Sequence, residues 1–166
     1  MQKNIVLIGM PTSGKSTVGV ILAKILGMDF TDTDIVIQQR EGASLKEIIA
    51  ERGIEGFLAA EEQALLNTNV QNTVIATGGS AVYSSAGMEH LKKDSDIVYL
   101  EVSFDEIIKR LKNVKERGVV LHAGETLEEM YKTRTALYAK YADHIITEDG
   151  FSIEGTVSAV TAALQA

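Results

Sequence analysis

The chain contains no cysteine, which excludes disulfides, thiolate metal sites and cysteine nucleophiles. Histidine is scarce, and His90, His122 and His144 stand too far apart in sequence to suggest a ligand cluster. Each reads as a surface residue or as a support behind a site. Positive charge is also in deficit: 16 Lys and Arg face 23 Asp and Glu, for a formal net charge of −7. That balance argues against nucleic acid as a partner, because phosphate backbones are held by basic surfaces. An anionic ligand would have to be met by a few local cations, so each arginine in a loop carries weight. No apolar run approaches the ~20 residues of a membrane span. Met1-Gln2-Lys3 leads directly into a strand pattern with no room for a secretion signal, and a cytoplasmic protein without a membrane partner is expected. What remains is an ordinary globular composition, 45% hydrophobic and 23% charged over 166 residues. One domain spanning residues 1–166 is expected, long enough to bury a core.

Against these absences stands one dense motif, Gly9-Met10-Pro11-Thr12-Ser13-Gly14-Lys15-Ser16-Thr17. The spacing Gly, four residues, Gly-Lys-Ser demands a compact loop whose backbone N–H groups point inward. Glycine at both ends allows the sharp turn and lets phosphate oxygens approach the backbone without meeting a Cβ. Lys15 places a point charge against the β- and γ-phosphates, and the Ser16 hydroxyl is positioned to ligate Mg²⁺. The flanks agree. Ile5, Val6, Leu7 and Ile8 read as a buried strand, while Val18, Ile21, Leu22, Ile25 and Leu26 recur at helical spacing. A strand, loop and helix in that order aim the helix N-terminus and its partial positive charge at the phosphates.

Strands alternate with helices through the rest of the chain, without repeats or linker-like composition. Residues 4–8, 30–33, 73–77, 96–102 and 144–147 read as strands. The third and fourth are continuous apolar runs of the kind found in parallel sheets covered on both faces. Ser44-x-x-Glu47, Ser103-x-x-Glu106 and Thr126-x-x-Glu129 fit the capping box that opens helices. Gly27 and Gly53 stand where helices should stop. The pattern predicts a doubly wound α/β sheet in three layers, with ligands across the carboxyl ends of the strands. Residues 113–124 break the pattern: they show no clean period, hold Gly118 and Gly124, and carry Arg117. The segment reads as a mobile lid or as an ordinary surface loop.

Asp32-Thr33-Asp34 follows the second strand and emerges on the same sheet edge as the cradle. Two acids at i and i+2 suit different tasks. One holds a Mg²⁺-bound water, and the other orients or deprotonates an attacking hydroxyl. In isolation such a pair would read as a helix cap or solvated turn; its place beside a phosphate loop reverses that preference. Thr77-Gly78-Gly79-Ser80 follows the third strand. Its consecutive glycines permit close approach of a ligand to backbone N–H donors, or simply a tight turn into the next helix.

These pieces together resemble the shikimate kinase family of P-loop small-molecule kinases. The resemblance runs over nearly the whole chain. It takes in Gly9 to Thr17, the Asp32-x-Asp34 pair, Gly53-x-x-x-Phe57-x-x-x-Glu61, and Val74-Ile75-Ala76-Thr77-Gly78-Gly79. It continues through Arg117 and Arg134-x-x-Leu137-Tyr138, and closes on Ala142-Asp143. It implies a five-stranded parallel sheet of order 2-3-1-4-5, a substrate-binding region at about 33–62 and a lid at about 113–124. It further implies an ATP- and Mg²⁺-dependent monomer that phosphorylates shikimate to shikimate 3-phosphate in aromatic amino-acid biosynthesis. Gly9, Thr12, Ser13, Gly14, Lys15, Ser16 and Thr17 would bind ATP, and Arg110 would lie near the base. Ser16 and Asp32 would hold the metal. Asp34 would bind and activate the substrate hydroxyl, Gly78 and Gly79 would contact the substrate through backbone, and Arg134 would grip its carboxylate. Lys15, Asp34 and Arg117 would form the catalytic set, with Arg117 closing over the transferring phosphoryl group.

Three positions depart from the family pattern. The arginine that usually follows Phe57 is Leu58, the third glycine after Thr77 is Ser80, and the proline after the lid arginine is Gly118. Losing one charge-assisted contact to a carboxylate costs about 1.5–3 kcal/mol. Glu61, which in the family sits near that arginine, is retained. Two accounts of Leu58 stand open: a lost clamp and hence a different small hydroxylated acceptor, or a core leucine with Arg40 or Arg52 reaching the carboxylate instead. A nucleotide-binding regulator without catalysis is a further alternative, against which the joint presence of Asp34, Arg117 and Arg134 speaks.

Overall fold

The computed structural model describes residues 2–112, 120–148, 150 and 152–166. Five parallel strands form one sheet: β1 (Asn4–Ile8), β2 (Asp29–Asp32), β3 (Thr73–Ala76), β4 (Ser95–Glu101) and β5 (His144–Thr147), in the order β2-β3-β1-β4-β5. Every residue of β1 and β3 is buried, as their unbroken apolar runs require of central strands covered on both faces. Alternation then divides the core. Val6, Ile8, Ile75, Ile97 and Tyr99 face one layer with Met88, Met130 and Tyr138. Ile5, Leu7, Val74, Val98 and Leu100 face the other with Val18, Leu22 and Val160. Each fully buried side chain of this kind contributes roughly 1.5–3 kcal/mol relative to exposure.

The helices follow the local signals. α1 (Lys15–Leu26) begins on Gly14 and ends at Gly27, both left-handed. α2 (Thr33–Glu41) starts one residue earlier than the strand pattern suggests, because the Asp32 side chain accepts the Asp34 N–H and caps the helix. β2 is accordingly Asp29–Asp32 rather than 30–33, and β4 likewise begins and ends one residue before the expected 96–102. α3 (Leu45–Leu66) opens on the complete Ser44–Glu47 capping box. Gly53 does not end α3; it adopts φ 72°, ψ −179° and kinks it, so that two helical pieces run on across a single left-handed residue. α4 (Ser85–Lys92), α5 (Phe104–Lys112), α6 (Leu127–Tyr141) and α7 (Ile153–Gln165) complete the layers. α6 opens on the expected Thr126–Glu129 box, and at α5 the Ser103 hydroxyl accepts the Glu106 N–H at 3.3 Å.

A third apolar cluster lies apart from the sheet. Ile37 of α2 and Ile48, Phe57, Ala60 and Ala64 of α3 pack with Val120, and Leu58 lies half-buried against them. This small core fixes α2 and α3 over the carboxyl ends of β2 and β3, and so walls one side of a cleft.

Candidate active site

The cleft opens at the carboxyl edge of the sheet and encloses about 450 Å³. At one end lies the phosphate loop. The Ser13 N–H closes the turn onto the Met10 carbonyl at 3.1 Å. Lys15, only 7% exposed, donates from Nζ to the carbonyls of Gly9 at 2.7 Å and Met10 at 2.8 Å, and to Ser13 Oγ at 3.3 Å. Gly9 and Ser13 thus act behind the loop, while Thr12, Gly14, Lys15, Ser16 and Thr17 line the cleft. Arg110 reaches across from α5: its Nη1 donates to the Thr12 carbonyl at 3.0 Å and its Nε to Glu106 at 3.1 Å. Thr12 is left-handed at φ 71°, so the brace falls on the loop's most constrained non-glycine residue.

Beside the loop, Ser16 Oγ donates to Asp32 Oδ2 at 2.6 Å, while Asp32 Oδ1 accepts the Asp34 N–H at 2.9 Å. The helix-cap and ligand readings of Asp32 are therefore compatible, one on each oxygen. Among the described residues no group of three or more acidic or histidine side chains is arranged to hold a metal. That suits Mg²⁺, which keeps several waters and takes one or two protein oxygens plus substrate phosphates. The adjacent hard oxygens of Ser16 and Asp32 fit it.

The other end of the cleft is assembled from distant segments. A Cβ built on Gly78 would lie 2.6 Å from Asp34 Oδ1 and 3.0 Å from Glu61 Oε2. One built on Gly79 would lie 2.8 Å from Pro11 Cδ and 3.0 Å from Arg134 Nη1. A side chain at either position would have to displace a neighbouring residue, so the glycine pair is required by the packing of Asp34, Glu61, Pro11 and Arg134 around this turn. Tyr138 donates to the Gly79 carbonyl at 2.5 Å; burial pushes its phenol up, so the hydroxyl keeps its proton.

Arg134 is 1% exposed. Its Nη2 donates to the Val120 carbonyl at 2.5 Å and its Nε to the Tyr83 hydroxyl at 3.3 Å, with the guanidinium 5.3 Å from the Tyr83 ring centroid. His122 packs edge-on against the same ring, 5.4 Å between centroids, a supporting place behind the site. Among the described residues Arg134 makes no ion pair within 4 Å. A guanidinium hydrogen-bonded only to neutral oxygens retains capacity for an anion, because its desolvation is offset best by an opposite charge.

Glu61, also 1% exposed, accepts from Ser80 Oγ at 2.7 Å through Oε1, and its Oε2 has no hydrogen-bond partner. Burial pushes this carboxyl up to about 7; the Ser80 hydrogen bond lowers it, the Asp34 charge raises it and Arg134 lowers it. The remaining wall is made by Ile35, Gln38, Leu45, Lys46, Ile49 and Phe57, all from α2 and α3.

Most of the residues singled out in the sequence meet in this one cleft: Lys15, Ser16, Asp32, Asp34, Gly78, Gly79 and Arg134. Arg117 and Gly118 fall in residues 113–119, outside the described residues. Of the rest of the expected lid, Val120 is buried against α3 and carries the carbonyl that holds Arg134. Neither Arg40 nor Arg52 lines the cleft, and Arg52 pairs with Glu41 at 2.8 Å. Tyr83, Val120, Gln38 and Lys46 were not legible as site residues. No motif marks them, and only the hydroxyl and ring of Tyr83, three residues beyond Ser80, offered a local hint.

A five-stranded parallel sheet of this order, with a phosphate loop at its first turn and a carboxylate and a buried arginine across the cleft, defines a P-loop small-molecule kinase. Comparison with known proteins narrows the class. The family model described as Shikimate kinase matches residues 11–165. A shikimate kinase of Clostridium botulinum is 43% identical over 143 residues, covering 83% of this chain and 84% of its own. One from Thermodesulfovibrio yellowstonii is 40% identical over 155 residues, covering 92% and 89%. The solved structure of shikimate kinase from Acinetobacter baumannii in complex with shikimate superposes with a TM-score of 0.90 at 28% identity, over 99% of this chain and 94% of that one. The chain belongs to the shikimate kinase family, and it is an ATP-dependent small-molecule kinase.

Proposed function

We propose that this protein transfers the γ-phosphoryl group of ATP to a hydroxyl of shikimate, giving shikimate 3-phosphate. The observation that carries the choice of acceptor is Arg134, a buried guanidinium whose hydrogen bonds among the described residues go to neutral oxygens and which lines the cleft beside Gly79. It calls for a carboxylate, and Asp34 on the opposite side of Gly78 calls for a hydroxyl. A small hydroxylated acid satisfies both, and the relative from Acinetobacter baumannii binds one of that description.

The loop backbone and Lys15 hold the β- and γ-phosphates. Ser16 and Asp32 would hold Mg²⁺, which when bound would supply charge neutralisation at the phosphates. Asp34 orients the acceptor hydroxyl and takes its proton as the new O–P bond forms and the bond to ADP breaks. Arg134 and the Gly78–Gly79 backbone fix the acceptor, so that the reaction is accelerated by positioning rather than by a covalent intermediate. Residues 33–62 form the acceptor-binding region, since they supply Asp34, Phe57 and the α2–α3 wall.

A coupled ADP-release assay with shikimate, quinate and hydroxylated amino acids tests this. Shikimate is expected to give the highest kcat/KM. Preference for a hydroxylated amino acid would move the assignment to an acceptor whose ammonium pairs with Glu61. If no compound raised ADP formation above water-driven hydrolysis, the kinase mechanism would be contradicted.

A further inference from the structure

Glu61 is a buried ionisable group beside the cleft for which the mechanism above has no use. It sits on α3, 1% exposed, behind the cleft-lining Gly78 and Ser80. One oxygen is taken by Ser80, and the other is without a partner against Gly78, close to Asp34. The charged groups that face it are Asp34 from α2 and Arg134 from α6; the turn before α4 contributes only the neutral hydroxyl of Ser80. Its own helix contributes no cation one turn back, because position 58 is a leucine packed into the α2–α3 cluster. Residues three apart on a helix are neighbours, so a cation there would have compensated the charge. In this chain Arg134 is left as the sole facing cation among the described residues, and the acceptor carboxylate calls on the same guanidinium.

We propose that Glu61 makes acceptor recognition proton-linked: an anionic acceptor held at Arg134 binds tightest when Glu61 carries a proton, and its binding draws that proton from solvent. Glu61 is then a specificity-determining residue that acts through charge rather than by touching the acceptor. The inference rests on the assignment of Arg134 to an acceptor carboxylate. The reasoning is electrostatic. Two carboxylates sharing one buried guanidinium repel one another across a poorly solvated space, and protonating one removes the repulsion. Glu61 is the member that yields, since burial already places its titration at about 7, whereas an exposed acceptor acid ionises near 4. Ser80 tunes the device: its hydrogen bond favours the ionised form, so it sets the pH at which affinity begins to fall.

The test is the pH dependence of KM for shikimate at saturating ATP and Mg²⁺, measured on wild type, Glu61→Gln and Ser80→Ala. In wild type, KM is expected to rise about sixfold between pH 6.5 and 8.5, corresponding to a shift of about one pH unit in Glu61 on binding. The rise sits in KM rather than kcat. Glu61→Gln should flatten it. Ser80→Ala, which removes a contact to the ionised form, should move it to higher pH, and this variant keeps the test open if Glu61→Gln folds poorly. Calorimetry of shikimate binding at pH 7.5, in two buffers of different ionisation enthalpy, should show uptake of about half a proton by wild type and none by Glu61→Gln. The two readings fail separately. Absence of shikimate phosphorylation by wild type at every pH contradicts the acceptor assignment, and the role of Glu61 falls with it. Phosphorylation with a pH-independent KM, the same rise in Glu61→Gln, or an unmoved rise in Ser80→Ala contradicts the role of Glu61 and leaves the acceptor assignment standing.

Discussion

At the phosphate end of the cleft one short stretch, Gly9 to Thr17, supplies the lining groups of Thr12, Gly14, Lys15, Ser16 and Thr17, with Asp32 beside them. The acceptor end draws Asp34 from α2, Glu61 from α3, Gly78 and Gly79 from the turn after β3, and Arg134 from α6. The first is a local structure whose geometry follows from backbone and glycine placement. The second exists only because the sheet order and the α2–α3 cluster bring four segments together. A local site resists drift in the rest of the chain. A composite one can change its chemistry through a single position such as Leu58 while the phosphate machinery stays as it was.

The contrast predicts different failures at the two ends. The largest effect is expected at Lys15. Lys15→Met removes the loop's cation, and kcat should fall about 10³-fold while KM for the acceptor changes little. A comparable rise in acceptor KM would show that the two ends are not separable. Arg134→Lys should act the other way: it keeps the charge but loses the planar fork that spans Val120, Tyr83 and the acceptor. An increase of about ten- to hundredfold in acceptor KM is expected, from about 1.5–3 kcal/mol of lost charge-assisted bonding, with ATP affinity unchanged.

The smallest effect concerns stability rather than turnover. The Glu61 carboxyl titrates near 4.5 when exposed and at about 7 in the folded chain. Between those values the native protein holds a proton that the unfolded chain gives up, so stability falls as pH rises through that window. Glu61→Gln cannot lose a charge this way. At pH 8 it should be more stable than wild type by about 1–3 kcal/mol, and the difference should vanish below pH 4.5. Chemical denaturation at the two pH values checks the sign. A variant less stable than wild type at pH 8 would mean that the Ser80–Glu61 contact, rather than the buried charge, dominates.

How much of this was legible beforehand follows the same division. The phosphate loop, the Asp32-x-Asp34 pair, the strand order implied by the family and the capping boxes at Ser44 and Thr126 could all be read from residues close together in sequence. The partners of Arg134 could not. Val120 lies 14 residues before it and Tyr83 lies 51 before it, and both are joined to it only by packing. The fate of Leu58 was undecided for the same reason. Only the folded α2–α3 pair shows it lying against an apolar cluster, with Arg52 bound to Glu41 and neither Arg40 nor Arg52 among the residues lining the cleft. Gly53 illustrates the opposite limit. It reads as a helix stop, and its φ 72°, ψ −179° does break the helical run. A second helical piece follows at once and carries α3 on across the kink.

The separation of the two ends is tested most directly at the residue where they meet. Asp34 lies against Gly78 on the acceptor side, and its backbone N–H is held by Asp32 of the phosphate side. Asp34→Asn keeps the shape and the helix cap and removes the charge proposed to take the hydroxyl proton. Measured side by side, the affinity for ATP and the kcat with shikimate should part company. ATP binding is expected within about twofold of wild type, with kcat lower by about a hundredfold or more. Equal losses in both quantities, or an unchanged kcat, would contradict the account.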